Sequence, residues 1–357
     1  MSRCLTLMAI VAWSAVLLPA QAQPPEPAVR TGGPVKDSTE LSAKQLMTPA
    51  TQASIARGLD YLSAVQRPNG AYGSAIYRDD VGVTALCGLA YLSAGHLPGR
   101  GKYGAVVERT LQFLLNSTDP AGFINSTESR SHGPMYGHGF ATLFLAEVYG
   151  TTPRREIKEK LKLAVNLIIT TQNREGGWRY YPQRKDADIS VTVCQIMALR
   201  AARNAGIDVP KSTVDACIKY VKDSQNADGG FKYQLRTNRH SIFPRSAAGV
   251  VALYSAGLYE GPEIDRGLNY LMESIPEGAI FRQEAHYFYG HYYAVQAMWH
   301  AGGDHWMRWY PAIREELVNR QSRDGGWSDP QHCTEYGTAM ACLVLQMPNN
   351  YLPIFRR

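Results

Sequence analysis

The sequence has few of the features that mark a small secreted module, a nucleic-acid-binding protein or an integral membrane protein. Its 357 residues include only 6 cysteines, and no two of them form a Cys-x-x-Cys pair. This usage excludes the disulfide framework of a small secreted module and indicates buried free thiols, with one bridge such as Cys194–Cys217 as the alternative. The net charge is only +6, with no basic cluster, so we expect no nucleic-acid partner. No apolar run in the sequence, including the one near its N-terminus, is long enough to indicate a transmembrane helix.

The two ends of the chain differ in composition from its middle. Residues 1–22 contain a basic start, a short apolar run and an Ala-x-Ala site, which is the pattern of a cleaved signal peptide. We therefore expect export to the periplasm or the outside of the cell. Residues 23–46 are rich in Pro, Gly, Ser and Thr and are predicted to be a flexible tether. A single domain is expected over 47–350, followed by a tail over 351–357.

Most of the chain repeats one pattern six times. Each unit has an amphipathic segment, a Gln-x-x-x-Gly-x-aromatic turn and a small-residue apolar segment. The clear turns are Gln66–Tyr72, Gln172–Trp178, Gln225–Phe231 and Gln321–Trp327, and the weaker ones are Thr118–Ile124 and Ile275–Phe281. A period of roughly 50 residues is typical of a repeat architecture. We interpret the turns as structural joints, because six similar loops cannot all form one active site.

The two helix types within each unit predict how the units are arranged. Ile55, Leu59, Leu62 and Val65 follow helical spacing and leave a polar face for solvent. The segment after each turn is apolar nearly all round and must be buried. Six amphipathic helices alternating with six buried ones predict two concentric rings, which is an all-α (α/α)6 toroid. Contact between the last and first units would close the ring.

The repeat resembles a known family motif. The segment 57–72, with Arg57, Tyr61, Gln66, Gly70 and Tyr72, resembles the QW repeat of squalene and oxidosqualene cyclases and of the related prenyltransferase β-subunits. The segments 162–178, 219–231 and 315–327 show its Gln-to-aromatic half. This resemblance implies the (α/α)6 fold and a central apolar or aromatic cavity.

The chemistry that the resemblance implies is only partly matched. The cyclase branch uses an Asp-x-Asp-Asp box as its acid, and this chain has Asp186 and Asp188 followed by Ile189. Asp188 is the candidate acid, and its alternative role is to cap the following helix. The places where the prenyltransferase branch needs zinc ligands hold Tyr289, His291 and Tyr336. The Asp and Cys ligands are absent, so zinc activation is not supported and no metal or cofactor is predicted. The group Asp329, His332 and Cys333 has irregular ligand spacing.

The starts of the six inner helices should converge on one mouth of the toroid. Polar and aromatic residues lie at these starts or just inside them, and they are our candidate site residues. The catalytic candidates are Asp188, Asp186, Asp80 and His291, and the ligand-binding candidates are His138, Arg245, Tyr136, Tyr289, Tyr293 and Tyr336. For the two histidines, the alternative is a buried structural role.

Three functions remain open from the sequence. The first is a terpene cyclase-like enzyme that acts on an apolar isoprenoid through Asp188. The second is a non-catalytic toroid that binds a small molecule or a protein at its mouth. The third is a glycan-active (α/α)6 enzyme with Asp79, Asp80 and Arg245 in its site and a cation as cofactor. A deep aromatic cavity would favour the first function, and a shallow polar groove would favour the others.

Overall fold

The computed structural model describes residues 45–237, 240–276 and 285–356. In these ranges the chain forms twelve α-helices and no β-strand. The outer helices are α1 (Pro49–Val65), α3 (Gly104–Asn116), α5 (Arg155–Thr171), α7 (Lys211–Asp223), α9 (Pro262–Met272) and α11 (Gly303–Arg320). The inner helices are α2 (Val81–Ser93), α4 (Pro134–Thr151), α6 (Ile189–Asn204), α8 (Phe243–Ser255), α10 (Tyr287–Ala301) and α12 (Thr334–Leu345). The predicted signal peptide and nearly all of the tether lie outside the described residues.

The inner helices form a closed ring. Each one packs against the next, and α12 packs against α2 to complete the circle. Every residue of α2 is buried, as a helix that is apolar all round requires. The outer helices bury one face only; in α5 this face includes Ile157, Leu161 and Ile168. The predicted (α/α)6 toroid is confirmed.

Two further expectations can be compared with the described residues. The five cysteines among them are free and buried. No described helix combines the length and the apolar character that crossing a bilayer requires.

The four clear turns share one geometry because their glutamine side chains make the same two hydrogen bonds. Gln172 Nε2 donates to the Gly176 carbonyl of its own turn at 2.8 Å and to the Thr213 carbonyl of the next outer helix at 3.0 Å. The other three pairs of acceptors are Gly70 and Val106 for Gln66, Gly229 and Glu263 for Gln225, and Gly325 and Ser54 for Gln321. Because Ser54 belongs to α1, the last of these amides joins the end of the ring to its beginning.

The glycine and the aromatic residue of the turn complete this joint. Gly176 has φ +100°, and a Cβ there would lie 2.1 Å from the Ala216 carbonyl oxygen, so only glycine fits against α7. The Trp178 backbone N–H donates to Thr192 Oγ1 of α6 at 3.1 Å, and its indole N–H donates to the Ile168 carbonyl of α5 at 2.7 Å. One turn therefore fixes an inner helix and two outer helices.

The end of the chain packs onto the toroid. Leu352, Ile354 and Phe355 are buried, and the 3₁₀ turn Pro353–Phe355 contacts α6. The Ile354 N–H donates to Glu147 Oε1 at 3.1 Å. Burial raises the pKa of Glu147 to about 8, although this hydrogen bond and Arg356 favour the charged form. The part of the predicted tail that includes these residues thus contributes to the folded domain.

We expect Gln172→Ala to destabilise the toroid. The substitution removes both hydrogen bonds and leaves two carbonyl groups in a buried joint, which should cost about 1–3 kcal/mol. Urea unfolding measures this loss, with Gln183→Ala as the control because the Gln183 side chain is exposed. Equal unfolding free energies for the two variants would show that the amide does not hold the joint.

We expect Glu147→Gln to remove a pH-dependent loss of stability. Glu147 titrates near 4.5 when unfolded and near 8 when folded, so the folded state holds a proton that the unfolded state has released. Its contribution to stability therefore falls as the pH rises through this window. The glutamine can still accept from the Ile354 N–H, and the variant should exceed the wild type in stability by a margin that grows between pH 5 and 8. A margin no larger than that of exposed Glu273→Gln would contradict this.

Candidate functional site

A cavity of about 420 Å³ opens where the inner helices begin. All six inner helices, or the residues directly before them, contribute to its wall. Its aromatic and polar lining includes Tyr77, Asp80, Ser131, His132, Tyr136, Tyr180, Ser190, Tyr233, Arg245, His286, Tyr289, His332 and Tyr336. Its deepest contributors are Leu86 and Phe140, the sixth and seventh residues of α2 and α4. At 1.5 Å per helical residue, they lie roughly 9 Å inside the helix starts.

Four of the predicted ligand-binding residues share one position in the repeat. Tyr136, Arg245, Tyr289 and Tyr336 are each the third residue of an inner helix, and all four line the cavity. The Tyr289 hydroxyl donates to the Ser190 carbonyl at 3.1 Å and so links α10 to α6. Burial raises the pKa of all three tyrosines, which present neutral hydroxyl groups at neutral pH.

Asp80 lines the cavity, but both of its carboxylate oxygens already accept hydrogen bonds. Oδ1 caps α2 by accepting from the N–H groups of Gly82 at 2.8 Å and Val83 at 3.0 Å. Oδ2 accepts from the hydroxyls of Ser129 at 2.7 Å and Ser131 at 2.6 Å. These contacts hold the loop before α4 against the cavity edge. Asp80, a predicted catalytic residue, therefore caps α2 and holds the loop before α4 in this structure.

Asp79 faces away from the cavity, contrary to the arrangement expected for a glycan-active enzyme. Its Oδ1 pairs with Arg67 Nε at 2.6 Å, and its Oδ2 accepts from Asn69 Nδ2 at 3.1 Å. It is not part of the cavity lining. The three residues predicted for a glycan-active enzyme, Asp79, Asp80 and Arg245, thus do not form one site. Only Asp80 and Arg245 line the cavity, and they come from opposite sides of the ring.

Asp188 is a buried carboxyl directly behind the cavity wall. Its Oδ1 accepts from the Val191 N–H at 2.8 Å and caps α6, and its Oδ2 lies 3.7 Å from Arg179 Nε. The side chain is fully buried and does not line the cavity, whereas Ser190 and Tyr233 beside it do. Burial raises the pKa of Asp188 to about 7, although the helix N–H groups and Arg179 favour the charged form. Both roles predicted for this residue, cap and acid, are compatible with this geometry.

Asp186 lies outside the cavity. Its exposed carboxylate pairs with Arg179 Nη1 at 2.9 Å. The two matched aspartates of the predicted acid box therefore share one arginine, but only Asp188 is buried. The expectation that Asp186 would face the mouth is wrong because the chain before α6 turns it toward solvent.

His138 was expected to face the mouth, but it is a buried structural residue of the repeat and does not line the cavity. Its Nδ1 accepts from the Ile124 N–H at 3.2 Å, and its Nε2 lies 3.3 Å from the Ala164 carbonyl. The Ile124 contact matches the bond between Trp178 and Thr192 in the next unit. Burial lowers the pKa of His138 to about 4, so the ring is neutral at neutral pH. The structural alternative describes this histidine correctly.

His291 and Tyr293 also lie outside the cavity. His291 occupies the position of His138 in its own repeat and packs against Phe243, Tyr287 and Trp309, with ring centroids 4.5–5.9 Å away. Burial lowers the pKa of its imidazole to about 3. The Tyr293 hydroxyl lies 3.3 Å from Cys194 Sγ. The expectation that these two side chains would meet a ligand at the mouth is wrong, because both pack in the protein interior.

Several cavity residues are not among the predicted catalytic and ligand-binding residues. These are Tyr77, His132, Tyr180, Tyr233, His286 and His332, and they come from the segments that precede the inner helices. His132 packs on Tyr180 with centroids 4.3 Å apart, and His332 stacks on Tyr336 at 4.3 Å. Their only sequence signal is the presence of His and Tyr shortly before a helix start.

Of the irregularly spaced group Asp329, His332 and Cys333, the first two side chains contact each other. His332 Nδ1 lies 3.2 Å from Asp329 Oδ1, and this contact holds the ring at the cavity edge. Across the described residues, no three His, Cys, Asp or Glu side chains are arranged to hold a metal ion.

The described residues form a closed (α/α)6 ring with a cavity at the starts of its inner helices. Residues 139–286 match the sequence model of the squalene-hopene cyclase C-terminal domain. None of the curated proteins compared with the chain matches it. The family match confirms the predicted resemblance to squalene cyclases over the matched residues.

Solved structures with this fold include enzymes of different chemistry. The type II terpene cyclase MstE from Scytonema has a TM-score of 0.60 and 13% identity, and the alignment covers 85% of this chain and 99% of that one. A variant of MstE was solved in complex with its substrate geranylgeranyl dihydroxybenzoate, again at TM-score 0.60 and 13% identity, covering 85% and 98%. Cellobiose 2-epimerase from Bacillus thermoamylovorans has a TM-score of 0.57 and 13% identity, covering 80% and 95%. At such identities the similarity establishes the fold alone.

Proposed function

We propose that this protein is an exported, terpene cyclase-like protein that binds an apolar, isoprenoid-type small molecule in the cavity. The observation that carries this proposal is the division of the cavity into two parts. Its deep part, which we call the floor, consists of Leu86 and Phe140, whereas the aromatic and polar side chains of the lining lie nearer its opening. Such a cavity suits a molecule with an apolar body and one polar end.

The size of the cavity is suited to a small molecule. Ligand pockets commonly enclose about 300–1,000 Å³, with apolar walls and a few polar groups that orient the ligand. The volume of about 420 Å³ lies in this range. A glycan, which is polar along its whole length, would leave its hydroxyl groups unpaired against the floor.

Two further findings support the proposal. The MstE structure in complex with geranylgeranyl dihydroxybenzoate provides a case in which a protein of this fold binds a molecule with an isoprenoid chain. The sequence of residues 1–22 has the pattern of a signal peptide, which supports export.

Catalysis is the second candidate function, and the burial of Asp188 favours it. A carboxyl group with a pKa of about 7 is partly protonated at neutral pH and can deliver a proton to an alkene. Tyr233 lies between this acid and the cavity, and its hydroxyl is hydrogen-bonded to that of Tyr180. A proton from Asp188 would therefore reach a ligand through the Tyr233 hydroxyl.

We expect Leu86→Trp to weaken binding of the prenyl alcohol farnesol. The indole would fill part of the floor, and we expect at least about a tenfold loss of affinity, because apolar burial contributes about 25 cal/mol per Å². Isothermal titration calorimetry measures the affinity, and thermal unfolding shows whether the variant is folded. Leu163→Trp is the matched control, since Leu163 is exposed on outer helix α5. Equal farnesol affinity in wild type and Leu86→Trp would place the binding site elsewhere.

We expect Asp188→Asn to abolish any cyclisation with little change in thermal stability. Asparagine can still cap α6 through its amide oxygen but cannot donate the acidic proton, so turnover of farnesol or geranylgeraniol should fall at least about 100-fold. Product analysis by gas chromatography with mass spectrometry measures this, with Asp186→Asn as the control. Cyclisation by the Asp188→Asn protein would exclude Asp188 as the acid. Farnesol binding without cyclisation by the wild type would favour the non-catalytic function.

A further inference from the structure

Arg245 is a buried cation in the wall of the cavity. It is only 5% exposed, and it lines the cavity from the first turn of α8. Its Nε donates to the Phe231 carbonyl at 3.0 Å, and its Nη2 donates to the His240 carbonyl. No carboxylate of the described residues forms an ion pair with it. The contacts thus fix the position of the guanidinium and leave its charge without a counterion in the part of the chain that the structure describes.

A neighbouring arginine shows what a compensated cation in this region looks like. Arg179 and Arg245 lie near the same tyrosine ring, with their guanidinium carbons 5.6 and 6.0 Å from the Tyr233 centroid. Arg179 has two carboxylate partners, at 2.9 and 3.7 Å. Arg179 is a wall support whose charge the protein balances, and Arg245 differs from it in this respect.

A second buried arginine shows why backbone carbonyls alone do not compensate Arg245. Arg200 also donates to two backbone carbonyls, those of Tyr254 and Arg356, but Tyr254 lies in the last turn of α8. A helix C-terminus carries partial negative charge, which favours a cation, whereas a helix N-terminus carries partial positive charge. Arg245 lies at the unfavourable end of the same helix, and burial lowers its pKa.

The surroundings of Arg245 add to the positive potential. The inner helices all start at the cavity, and the N-termini of α4, α8, α10 and α12 have no side-chain cap. The one carboxylate in the lining, Asp80, is on the opposite side of the ring and already accepts four hydrogen bonds. An arginine has five N–H donors, and the two backbone contacts engage only Nε and Nη2. The Nη1 group is the part suited to a ligand.

We propose that the ligand carries an anionic head group, a carboxylate or a phosphate, which binds Arg245 while its apolar chain lies against the floor. This inference rests on the proposed function and specifies its ligand class. A charge-assisted hydrogen bond in a buried site is stronger than a neutral one, and a bound anion supplies the counterion that the described wall lacks. The head group would stay near the opening, because Arg245 lies in the first helical turn, and the floor begins deeper in the ring.

The test compares three probes that share one prenyl chain: farnesol, farnesoic acid and farnesyl monophosphate. Calorimetric titration of the wild type should show at least about tenfold tighter binding of one anion than of the alcohol, as expected for a hydrogen bond to a charged group. The preferred anion identifies the head group as a carboxylate or a phosphate. In Arg245→Gln this preference should disappear, so that the ratio of anion affinity to farnesol affinity falls to about one.

Two further variants make the result specific. Arg78→Gln removes an exposed cation next to Tyr77 at the same end of the toroid and should keep the preference for the anion. Arg245→Lys retains the charge but loses the guanidinium fork, so it should reduce the preference without abolishing it. If Arg245→Gln does not fold, Arg245→Lys and the wild-type comparison of acid with alcohol decide the matter.

The possible failures are distinguishable. Equal wild-type affinity for farnesol and both anions would overturn the role of Arg245 and leave the isoprenoid cavity intact. A preference for the anion that survives in Arg245→Gln would also overturn it. No binding of any of the three probes would contradict the proposed function itself.

Discussion

The hydrogen bonds of the turn glutamines are the contacts on which the rest of the structure depends. Each amide joins its own turn to the next outer helix, and the Gln321 amide reaches Ser54 in the first. These four joints and the contacts between successive inner helices together close the ring. The glycine of the turn lets its backbone approach the next outer helix closely, and the backbone N–H of the aromatic residue bonds to the inner helix.

Closure has a direct consequence for chemistry. It places the starts of all six inner helices at one opening, so the third residue of several units faces the same space. The same helix starts also need caps, and Asp80 and Asp188 both serve this purpose. Two residues that the sequence pattern predicts to be catalytic, Asp80 and Asp188, thus also stabilise the N-termini of their helices. Arg245 differs from these caps, because it has no carboxylate partner among the described residues and lies at a helix start.

The fold could be predicted because its signal repeats. A turn that recurs six times, with an amphipathic helix before it and an apolar helix after it, leaves few architectures open. The position of Tyr136, Arg245 and Tyr289 followed from the same regularity, since helix starts on one face converge. The repeat also contained the answer for His138, which stands where other units have Thr192 and Ser246 and accepts the same turn N–H. Aligning the units position by position would have shown this.

The rest of the site depends on segments without a period. The loop that carries Ser131 and His132 is held by Asp80 and not by any local pattern, so its path could not be predicted from spacing. The side-chain directions of Asp186 and Asp188 differ for a similar reason, because the single residue between them gives no indication of which one is buried. Such tertiary contacts decide which His and Tyr side chains reach the cavity.

The central claim is that this cavity holds an apolar molecule, and native mass spectrometry of the purified protein tests it most directly. The protein would be produced from the full sequence in an exporting host and kept under conditions that preserve noncovalent complexes. The account predicts a mature chain that carries a bound molecule, which extraction into organic solvent identifies as an isoprenoid-type lipid. A retained sugar, or a protein that takes up no prenyl lipid even after incubation with one, would contradict it.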